Sequence, residues 1–448
     1  MVIVFALVAL VVAGVLVAAN WYVWRRLFRD TTRHPGGVRR AGAVLIAGGW
    51  LLAVGALVAE RTGAPFWLQR TLGWPGFLWM ALSIYLLLGV LAGEAVRPLL
   101  RRYLERRAAA PAAAEPATAV PVGSERAGNA AGSPAGPAVA QPAETTPQSA
   151  APAPESAAAP DSTEPAPEAP PLAAPSRRLF VSRVVGGAAA AVAVGTVGYG
   201  TYGVLRGPRV QRVTVPLAKL PRAAHGFRIA VVSDIHLGPV LGRGFAQKVV
   251  DTVNGTQPDL IAVVGDLVDG SVKDLGPAAA PLARLSARHG TYFVTGNHEY
   301  FSGAEQWVAE VRRLGLLPLE NARTELPHFD LAGVNDISGE SEGQGPDYDR
   351  ALGDRDRARA CVLLAHQPVM IHDAVDHGVD LQLSGHTHGG QLWPGPLLAA
   401  AANPTVAGLE RYGDTQLYVS RGAGAWGPPT RVGAPSDVTV IELASRQA

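Results

Sequence analysis

Cysteine is almost absent from this 448-residue chain, and that absence restricts its chemistry. The single cysteine, Cys361, has no partner within the chain for a disulfide. A zinc site built from cysteines needs several thiolates, so it is excluded as well. Cysteine usage therefore does not define the redox compartment of the protein.

Lysine is also scarce, and the C-terminal part of the chain has no excess of positive charge. The formal net charge is +2, but from about residue 206 onward acidic residues slightly outnumber basic ones. Proteins that bind the phosphate backbone of nucleic acids concentrate positive charge on the binding domain. Nucleic-acid binding is therefore not expected as the main activity.

Acidic and basic residues are missing from four long apolar stretches, residues 2–19, 41–59, 71–93 and 184–205. Each is long enough to cross a bilayer, and the aromatic residues after the first stretch are typical of a membrane interface. The alternative, helices buried in a large soluble core, would need further helices to cover them, which this part of the chain does not supply. Transport pathways usually carry charged residues inside the membrane, so a transporter is disfavoured.

Between the third and fourth stretches, residues 108–175 are rich in alanine and proline and contain almost no large apolar residues. Such a segment cannot bury enough surface to offset its ordering entropy, so we predict a disordered linker. The predicted organisation is a membrane domain at 1–107 with three transmembrane helices, a linker at 108–176, a fourth helix or uncleaved export-signal anchor at 177–206, and a C-terminal domain at 207–448.

Arginines indicate the orientation of these spans. They are concentrated in residues 25–40 and 97–107, and the positive-inside rule places both segments in the cytoplasm. The fourth span would then carry residues 207–448 to the extracytoplasmic side of the cell membrane. Arg177 and Arg178 resemble a twin-arginine export signal, while ordinary anchoring arginines are the alternative, and both give the same topology.

Beyond residue 206, short β-branched runs alternate with helix-like stretches such as residues 244–253 and 304–314. This alternation predicts βαβ units and an α/β fold. Later strands are predicted near residues 330–334, 360–364, 381–383, 416–420 and 437–442. In α/β architectures, loops that bind ligands gather at the carboxyl ends of strands.

Five motifs with metal-ligand residue types follow predicted strands. They are Asp234-Ile235-His236, Gly265-Asp266-Leu267-Val268-Asp269, Gly296-Asn297-His298-Glu299, His366, and Ser384-Gly385-His386-Thr387-His388-Gly389-Gly390-Gln391. Taken alone, Asp-x-His or Gly-Asp at a strand end is often an ordinary turn. The last motif is the most specific, because its flanking glycines let two imidazoles approach neighbouring metal ions. Together the motifs favour a site for two metal ions.

From about residue 213 to 443 these motifs resemble those of the calcineurin-like metallophosphoesterases, in particular their membrane-anchored bacterial branch. The resemblance implies a four-layer α-β-β-α sandwich of the α+β type with a two-metal centre. It implies that Asp234, His236 and His388 bind the first metal, that Asp266 bridges both, and that Asn297, His366 and His386 bind the second. It also implies that His298 protonates the leaving oxygen and that Asp269 supports the site or faces the substrate.

The residue types are consistent with this centre. Two divalent ions bridged by a carboxylate lower the pKa of bound solvent and hold the attacking and leaving oxygens of a phosphoryl group. Mixed carboxylate, amide and imidazole ligands suit manganese, iron or zinc, and calcium prefers oxygen ligands alone. Arg421 follows a predicted strand, where it could face a phosphate or be solvated.

The sequence therefore predicts a metal-dependent hydrolase of phosphomonoesters or phosphodiesters, acting through metal-activated hydroxide. A phospholipid or lipid-linked envelope precursor is the favoured substrate class, because the chain is anchored in the membrane. Residues 391–412 are apolar and follow the last motif; they form either an ordinary loop or an apolar wall for an acyl chain. The alternative function is a non-catalytic, metal-bound scaffold module of the cell envelope.

Overall fold

The computed structural model describes residues 2–109 and 176–447. Residues 110–175, which contain nearly all of the predicted linker, lie outside the described residues. The description below concerns the N-terminal helices and the C-terminal sheets, which form one compact unit.

Four long apolar helices precede the strands: α1 (Val2–Trp24), α2 (Gly37–Arg61), α3 (Phe66–Ala109) and α4 (Arg177–Leu205). All four contain a stretch that is long and apolar enough to cross a membrane, which agrees with the predicted spans. The helices are longer than those spans, and α3 reaches 44 residues. Its extra C-terminal turns are rich in arginine, leucine and glutamate, which are strong helix formers.

Small residues allow these helices to approach closely. A side chain at Gly76 of α3 would overlap the backbone of Leu52 and Ala53 in α2, and Gly89 lies against Ala189 of α4. Contacts of this kind between small residues drive helix association in membranes, where the hydrophobic effect between helices is weak. Helices α2, α3 and α4 therefore make the close contacts between small residues that are typical of helices in membranes.

The C-terminal region contains two sheets. Their strands are β1 (Arg209–Leu217), β2 (Phe227–Val232), β3 (Leu260–Val264), β4 (Thr291–Val294), β5 (Leu317–Pro318), β6 (Ala322–Glu325), β7 (Asp330–Gly333), β8 (Cys361–Leu364), β9 (Leu381–Ser384), β10 (Gly408–Tyr412), β11 (Thr415–Val419) and β12 (Asp437–Ser445). The first six-stranded sheet has the order β1-β12-β2-β3-β4-β5, and the second has the order β10-β11-β9-β8-β7-β6. The later strands predicted from the sequence correspond to β7, β8, β9, β11 and β12.

Parallel pairing brings the motif-bearing strand ends together. In the first sheet β2, β3 and β4 are parallel neighbours. In the second sheet β7, β8 and β9 are also parallel neighbours. Buried apolar residues of both sheets, such as Val231 and Leu383, form one cluster, so the sheets pack face to face.

Seven shorter helices accompany the sheets: α5 (Arg243–Gly255), α6 (Val272–Ala279), α7 (Asn297–Ser302), α8 (Ala304–Arg313), α9 (Tyr348–Leu352), α10 (Ile371–Asp376) and α11 (Gly395–Ala402). Helices α5, α6 and α8 pack on the outer face of the first sheet. Helices α9 and α10 pack on the outer face of the second sheet. The predicted four-layer α-β-β-α sandwich is thereby confirmed.

The membrane helices contact the sandwich directly. The Tyr85 hydroxyl of α3 donates a hydrogen bond of 3.1 Å to the backbone carbonyl of Trp393. The hydroxyls of Thr201 in α4 and Thr430 lie 2.7 Å apart. These contacts lie near the loops that carry the sequence motifs, so the helices border the candidate site.

Candidate metal centre

The motif side chains lie just beyond the carboxyl ends of five strands, in loops and turns or, for Asn297 and His298, at the start of α7. In the first sheet, Asp234 and His236 follow β2, Asp266 and Asp269 follow β3, and Asn297 and His298 follow β4. In the second sheet, His366 follows β8, and His386 and His388 lie in the turn after β9. The loops from the two sheets approach closely, because a side chain at Gly385 would overlap Ser233 and Asp234. Only glycine permits this approach, which explains the glycine of the last motif.

Asp234, His236 and His388 form the first cluster. Their ligand atoms all lie within 4.8 Å of one another. The Nε2 atoms of His236 and His388 are 3.0 Å apart, and His388 Nε2 is 3.4 Å from Asp234 Oδ1. Two ring nitrogens and a carboxylate oxygen that converge in this way form a typical ligand set for a divalent transition metal.

Asp266, His366 and His386 form a second cluster of the same size. His366 Nε2 is 3.1 Å from Asp266 Oδ2, and His386 Nδ1 is 2.9 Å from the amide oxygen of Asn297. Asp266 Oδ2 is also 3.8 Å from His236 Nε2 of the first cluster. Asp266 therefore lies between the two clusters, where a bridging carboxylate would be.

The fit of these residues to metal ions can be judged from His366. Its Nδ1 is 2.8 Å from the carbonyl oxygen of Val264, to which a ring N–H donates. Its Nε2 is buried and faces the Asp266 carboxylate at 3.1 Å, the residue that lies between the two clusters. A buried ring whose Nδ1 is held by a backbone carbonyl, and whose Nε2 is aimed at a neighbouring carboxylate, has the orientation that a metal ligand requires. The donor set therefore fits divalent cations.

The charges of the site favour a cation. Burial lowers the pKa of His366, but the carboxylates of Asp266 and Asp234 outweigh it and raise the pKa well above its usual value. Burial would raise the pKa of Asp266, yet His366 and His236 hold it well below its usual value. Buried carboxylates that attract protons onto neighbouring imidazoles also attract metal ions.

The His386 and His388 rings differ from His366. Burial and the neighbouring His366 lower the pKa of His386 to about 4. Burial and His236 lower the pKa of His388 well below its usual value. Both rings are therefore neutral near pH 7, and neutral imidazole is the form that binds a metal.

The backbone of the ligand residues is unusual. Asp234, His236, Asp266, His386 and His388 all have φ between 49° and 71°, the left-handed region that residues other than glycine seldom adopt. Residues in this region cluster at functional sites, where surrounding contacts hold them in place. Five of the seven predicted ligands share this feature, which independently marks the loops as a functional site.

Asp269 and His298 form a pair beside the clusters. Asp269 Oδ1 lies 2.9 Å from His236 Nδ1 and 2.7 Å from His298 Nδ1. Although burial opposes the shift, His236 and His298 lower the pKa of Asp269 to about 2. Burial lowers the pKa of His298, but Asp269 outweighs it and raises the pKa to about 9. The Asp269 carboxylate thus orients a predicted ligand and the predicted acid together.

Sequence motifs did not reveal two supporting residues. Buried Glu299 accepts backbone N–H hydrogen bonds from Asp266, Leu267 and Gly296, and it thereby fixes two motif loops. Glu299 lies in the same motif as Asn297, so the motif could have indicated its supporting role. Buried Arg431 donates to the His388 carbonyl at 3.0 Å, and its Nη2 lies 3.0 Å from His388 Nδ1. Nothing in the sequence around Arg431 indicates this role.

Arg421 lies beside an acidic side chain and the metal-binding turn. Its guanidinium is 3.5 Å from Asp437 Oδ2, and its side chain lies beside Gly389 of the metal-binding turn. It is not among the described residues that line the cavity at the clusters. The structure therefore places Arg421 next to the turn that carries His386 and His388.

A cavity of about 830 Å³ opens at the two clusters. On one side it is lined by residues of the sandwich, namely Asp266, Asp269, Asn297, His298, Phe301, His386, His388 and Trp426. On the other side it is lined by residues of α2 and α3 and of their connection, namely Leu57, Glu60, Arg61, Phe66, Gln69, Phe77 and Met80. Glu60 is close enough to Asp269 and His298 to interact with them electrostatically. The apolar helices α2 and α3 thus form a wall of the site, a feature that the motifs did not predict.

Comparison with known proteins agrees with this geometry. A sequence model of the calcineurin-like phosphoesterases matches residues 227–390. A Danio rerio protein described as a transmembrane protein with metallophosphoesterase domain is 38% identical, over 55% of this chain and 59% of its own. An uncharacterised metallophosphoesterase of Aquifex aeolicus is 34% identical, over 52% of this chain and 91% of its own. The crystal structure of a dimetal phosphatase from Danio rerio aligns with 13% identity and a TM-score of 0.34, over 48% of this chain and 91% of its own.

The fold and the site define the class as a double-sheet sandwich with a cluster of metal-ligand side chains at its strand ends. The chain belongs to the calcineurin-like metallophosphoesterase family, as the resemblance of its motifs implied. It spans 59% of the length of the Danio rerio relative. Members of this family are metal-dependent phosphoesterases, and the four apolar helices associate this chain with a membrane.

Proposed function

We propose that the protein is a membrane-anchored phosphoesterase that hydrolyses phosphomonoester or phosphodiester bonds with two divalent cations. The observation that carries this proposal is the position of Asp266 between two clusters of ligand atoms at the floor of one cavity. Asp234, His236 and His388 would hold the first cation, and Asn297, His366 and His386 the second, with Asp266 shared. Imidazole, amide and carboxylate donors favour manganese, iron or zinc.

Two bound cations would supply Lewis acidity at the phosphoryl group and a nucleophile from water at neutral pH. The remaining steps belong to side chains of this chain. The Nδ1 atom of His298 is hydrogen-bonded to Asp269, which leaves Nε2 as the atom that can donate a proton to the leaving oxygen. Asp269 keeps that ring oriented and favours its protonated form.

The cavity wall supports a lipid substrate. Leu57, Phe66 and Phe77 belong to apolar helices, and they line the same cavity as His298 and His388. A phosphoester that reaches the metal centre from the membrane side would place its phosphate at the clusters and its apolar part against α2 and α3. We therefore infer that the substrate is a phospholipid or a lipid-linked phosphoester.

We further propose that all four apolar helices cross the cell membrane and that residues 207–448 lie on its extracytoplasmic side. The arginine-rich segments after α1 and α3 support this orientation by the positive-inside rule. With this topology the connection between α2 and α3 lies on the same side as the sandwich. Its position in the cavity wall agrees with that arrangement.

The experiment that tests the activity uses the full chain in detergent micelles, stripped of metal and reloaded with manganese. We expect metal-dependent hydrolysis of a chromogenic phosphodiester or monoester, and its loss to the background rate in Asp266→Ala. Asp251→Ala, which removes an exposed carboxylate of α5, should keep the wild-type rate. Metal-loaded protein that hydrolyses neither the chromogenic esters nor phospholipid vesicles would instead favour the scaffold function.

A further inference from the structure

The segment around α11 exposes an unusual amount of apolar surface. Residues 389–409 contain no acidic or basic side chain. Every residue of α11 is at least partly exposed, and the exposed fractions of Trp393, Leu397 and Leu398 are 52%, 71% and 76%. Scattered apolar residues are normal on a protein surface, but a contiguous exposed patch marks an interaction site.

The start of this segment lies at the depth of the membrane helices. The Trp393 carbonyl accepts the hydrogen bond from Tyr85, which belongs to the uncharged part of α3 between Arg70 and Glu94. At the helical rise of about 1.5 Å per residue, Tyr85 lies roughly 22 Å from Arg70 and roughly 14 Å from Glu94 along the axis. Leu392 packs against the cluster of membrane-helix residues that includes Tyr85. Trp393 is therefore next to the middle of a membrane-spanning stretch.

From these observations we propose that α11 and the preceding Trp393 extend from the extracytoplasmic sandwich into the hydrocarbon of the bilayer, where lipid acyl chains cover them. An embedded segment must satisfy its backbone groups, and at the start of α11 the N–H groups of Gly395 and Leu397 donate to the carbonyls of Leu392 and Pro394. Helices that lie in the headgroup region usually carry a charged face, which α11 lacks. The contact with α3 extends the surface of the membrane bundle onto α11, which makes lipid the occupant that the structure supports.

This insertion would fix the metal centre relative to the membrane. Gly390, directly after the turn that carries His386 and His388, lies against Gly395 and Pro396 at the start of α11, where a side chain would overlap Pro396. The metal-binding turn and α11 therefore move together. The inference requires that α3 spans the membrane, and it does not depend on the phosphoesterase activity. The insertion of α11 and the proposed activity can therefore fail independently.

The sole cysteine makes a site-specific test possible. Cys361 is buried, and burial raises the pKa of its thiol to about 12, so a thiol reagent will label an introduced cysteine selectively. The full chain carrying Leu398→Cys would be labelled with a nitroxide and placed in nanodiscs of phosphatidylcholine and phosphatidylglycerol. Power-saturation EPR then measures collisions with oxygen, which partitions into lipid, and with a water-soluble nickel chelate.

Two reference positions calibrate the measurement. Leu51→Cys lies on α2 with 74% of the native side chain exposed, and Asp354→Cys replaces an acidic side chain that is 83% exposed. We expect the label at position 398 to match position 51, with high oxygen and low nickel accessibility. A match with position 354 would overturn the proposal, as would exclusion of both reagents, which would mean that protein, such as a second copy of the chain, covers α11. Leu397→Cys serves as an independent second probe.

Discussion

At the scale of single residues, the metal centre combines strained backbone with hydrogen bonds that hold it. For a residue other than glycine, the left-handed backbone conformation is about 1–3 kcal/mol less favourable than the usual ones, and five predicted ligands adopt it. Asp234 accepts the backbone N–H of His386 at 3.0 Å, and Glu299 accepts that of Asp266 at 2.9 Å. Carboxylates therefore both belong to the candidate metal clusters and fix the loops, so replacing one should loosen its neighbours as well.

The proposed acid role of His298 leads to a prediction about leaving groups. His298→Gln should lower the rate for an alkyl phosphoester by about 10²–10⁴-fold, the usual contribution of general acid catalysis. The loss should be much smaller for a nitrophenyl ester, because nitrophenolate departs without being protonated. Steady-state rates for both esters, measured on metal-loaded full chain, check this difference.

Metal content separates this role from a structural one. His298→Gln should bind as much metal as the wild type, and His225→Gln, at an exposed position, should change neither rate nor metal content. Equal losses for both esters would argue that His298 acts before the leaving group departs.

The sequence predicted seven candidate ligands because each lies shortly after a predicted strand. Six of them, all except Asn297, form the two clusters, and the amide oxygen of Asn297 lies beside His386. Glu60 and Arg431 could not be found, because their roles depend on tertiary contacts with loops far away in the sequence. No local pattern distinguishes a buried supporting arginine from an exposed one.

At the scale of elements, alternation and composition indicated the central strands, but they did not indicate the edge strands β1, β5, β6 and β10 or the sheet order. Strand β12, the last of the chain, pairs with both β1 and β2 and thereby closes the first sheet. Periodicity gives no information about such long-range pairing. The segment with α11 remained ambiguous for a related reason, since the environment of an apolar helix is decided by what packs beside it.

The hairpin of α2 and α3 is predicted to contact the apolar part of the substrate. Leu57→Trp adds bulk to a half-exposed cavity residue, so it should lower kcat/KM for a lipid phosphoester by about tenfold or more. Hydrolysis of a small chromogenic ester should be nearly unchanged, because that substrate needs only the metal centre. Parallel assays in mixed micelles with both substrates measure the contrast.

Leu51→Trp on the same helix is the matched control, since Leu51 is 74% exposed and lies outside the cavity lining. It should affect neither substrate. If Leu57→Trp lowered kcat/KM by a similar factor for both substrates, the wall would not act only on the apolar part of the lipid substrate. An unchanged lipid rate would show that the substrate does not use this face.

At the scale of the whole molecule, the membrane bundle and the sandwich form one unit around the cavity. The contacts of Tyr85 with Trp393 and of Thr201 with Thr430 join the helices to the loops beside the metal centre. The sequence indicated an anchor and an enzyme as separate domains, because a long tract rich in alanine and proline separates the first three spans from the motifs. That the anchor also shapes the site follows only from tertiary structure.

The final prediction concerns the side of the membrane on which the metal centre lies. Cys361 is buried, so Asp354→Cys supplies a single exposed thiol on the sandwich, and Arg102→Cys supplies one on α3 beyond the predicted third span. In spheroplasts, a membrane-impermeant maleimide should label position 354 directly. Position 102 should react only after permeabilisation, because the arginines around it favour the cytoplasm.

This pair of positions distinguishes the possible arrangements, since α4 is the only described span that separates them. Labelling of both thiols in intact spheroplasts, or of neither, would mean that α4 does not cross the bilayer. Labelling of position 102 alone would reverse the orientation and place the metal centre in the cytoplasm. Thiol labelling works on folded protein, so the result is independent of whether Arg177 and Arg178 act as an export signal or only as an anchor.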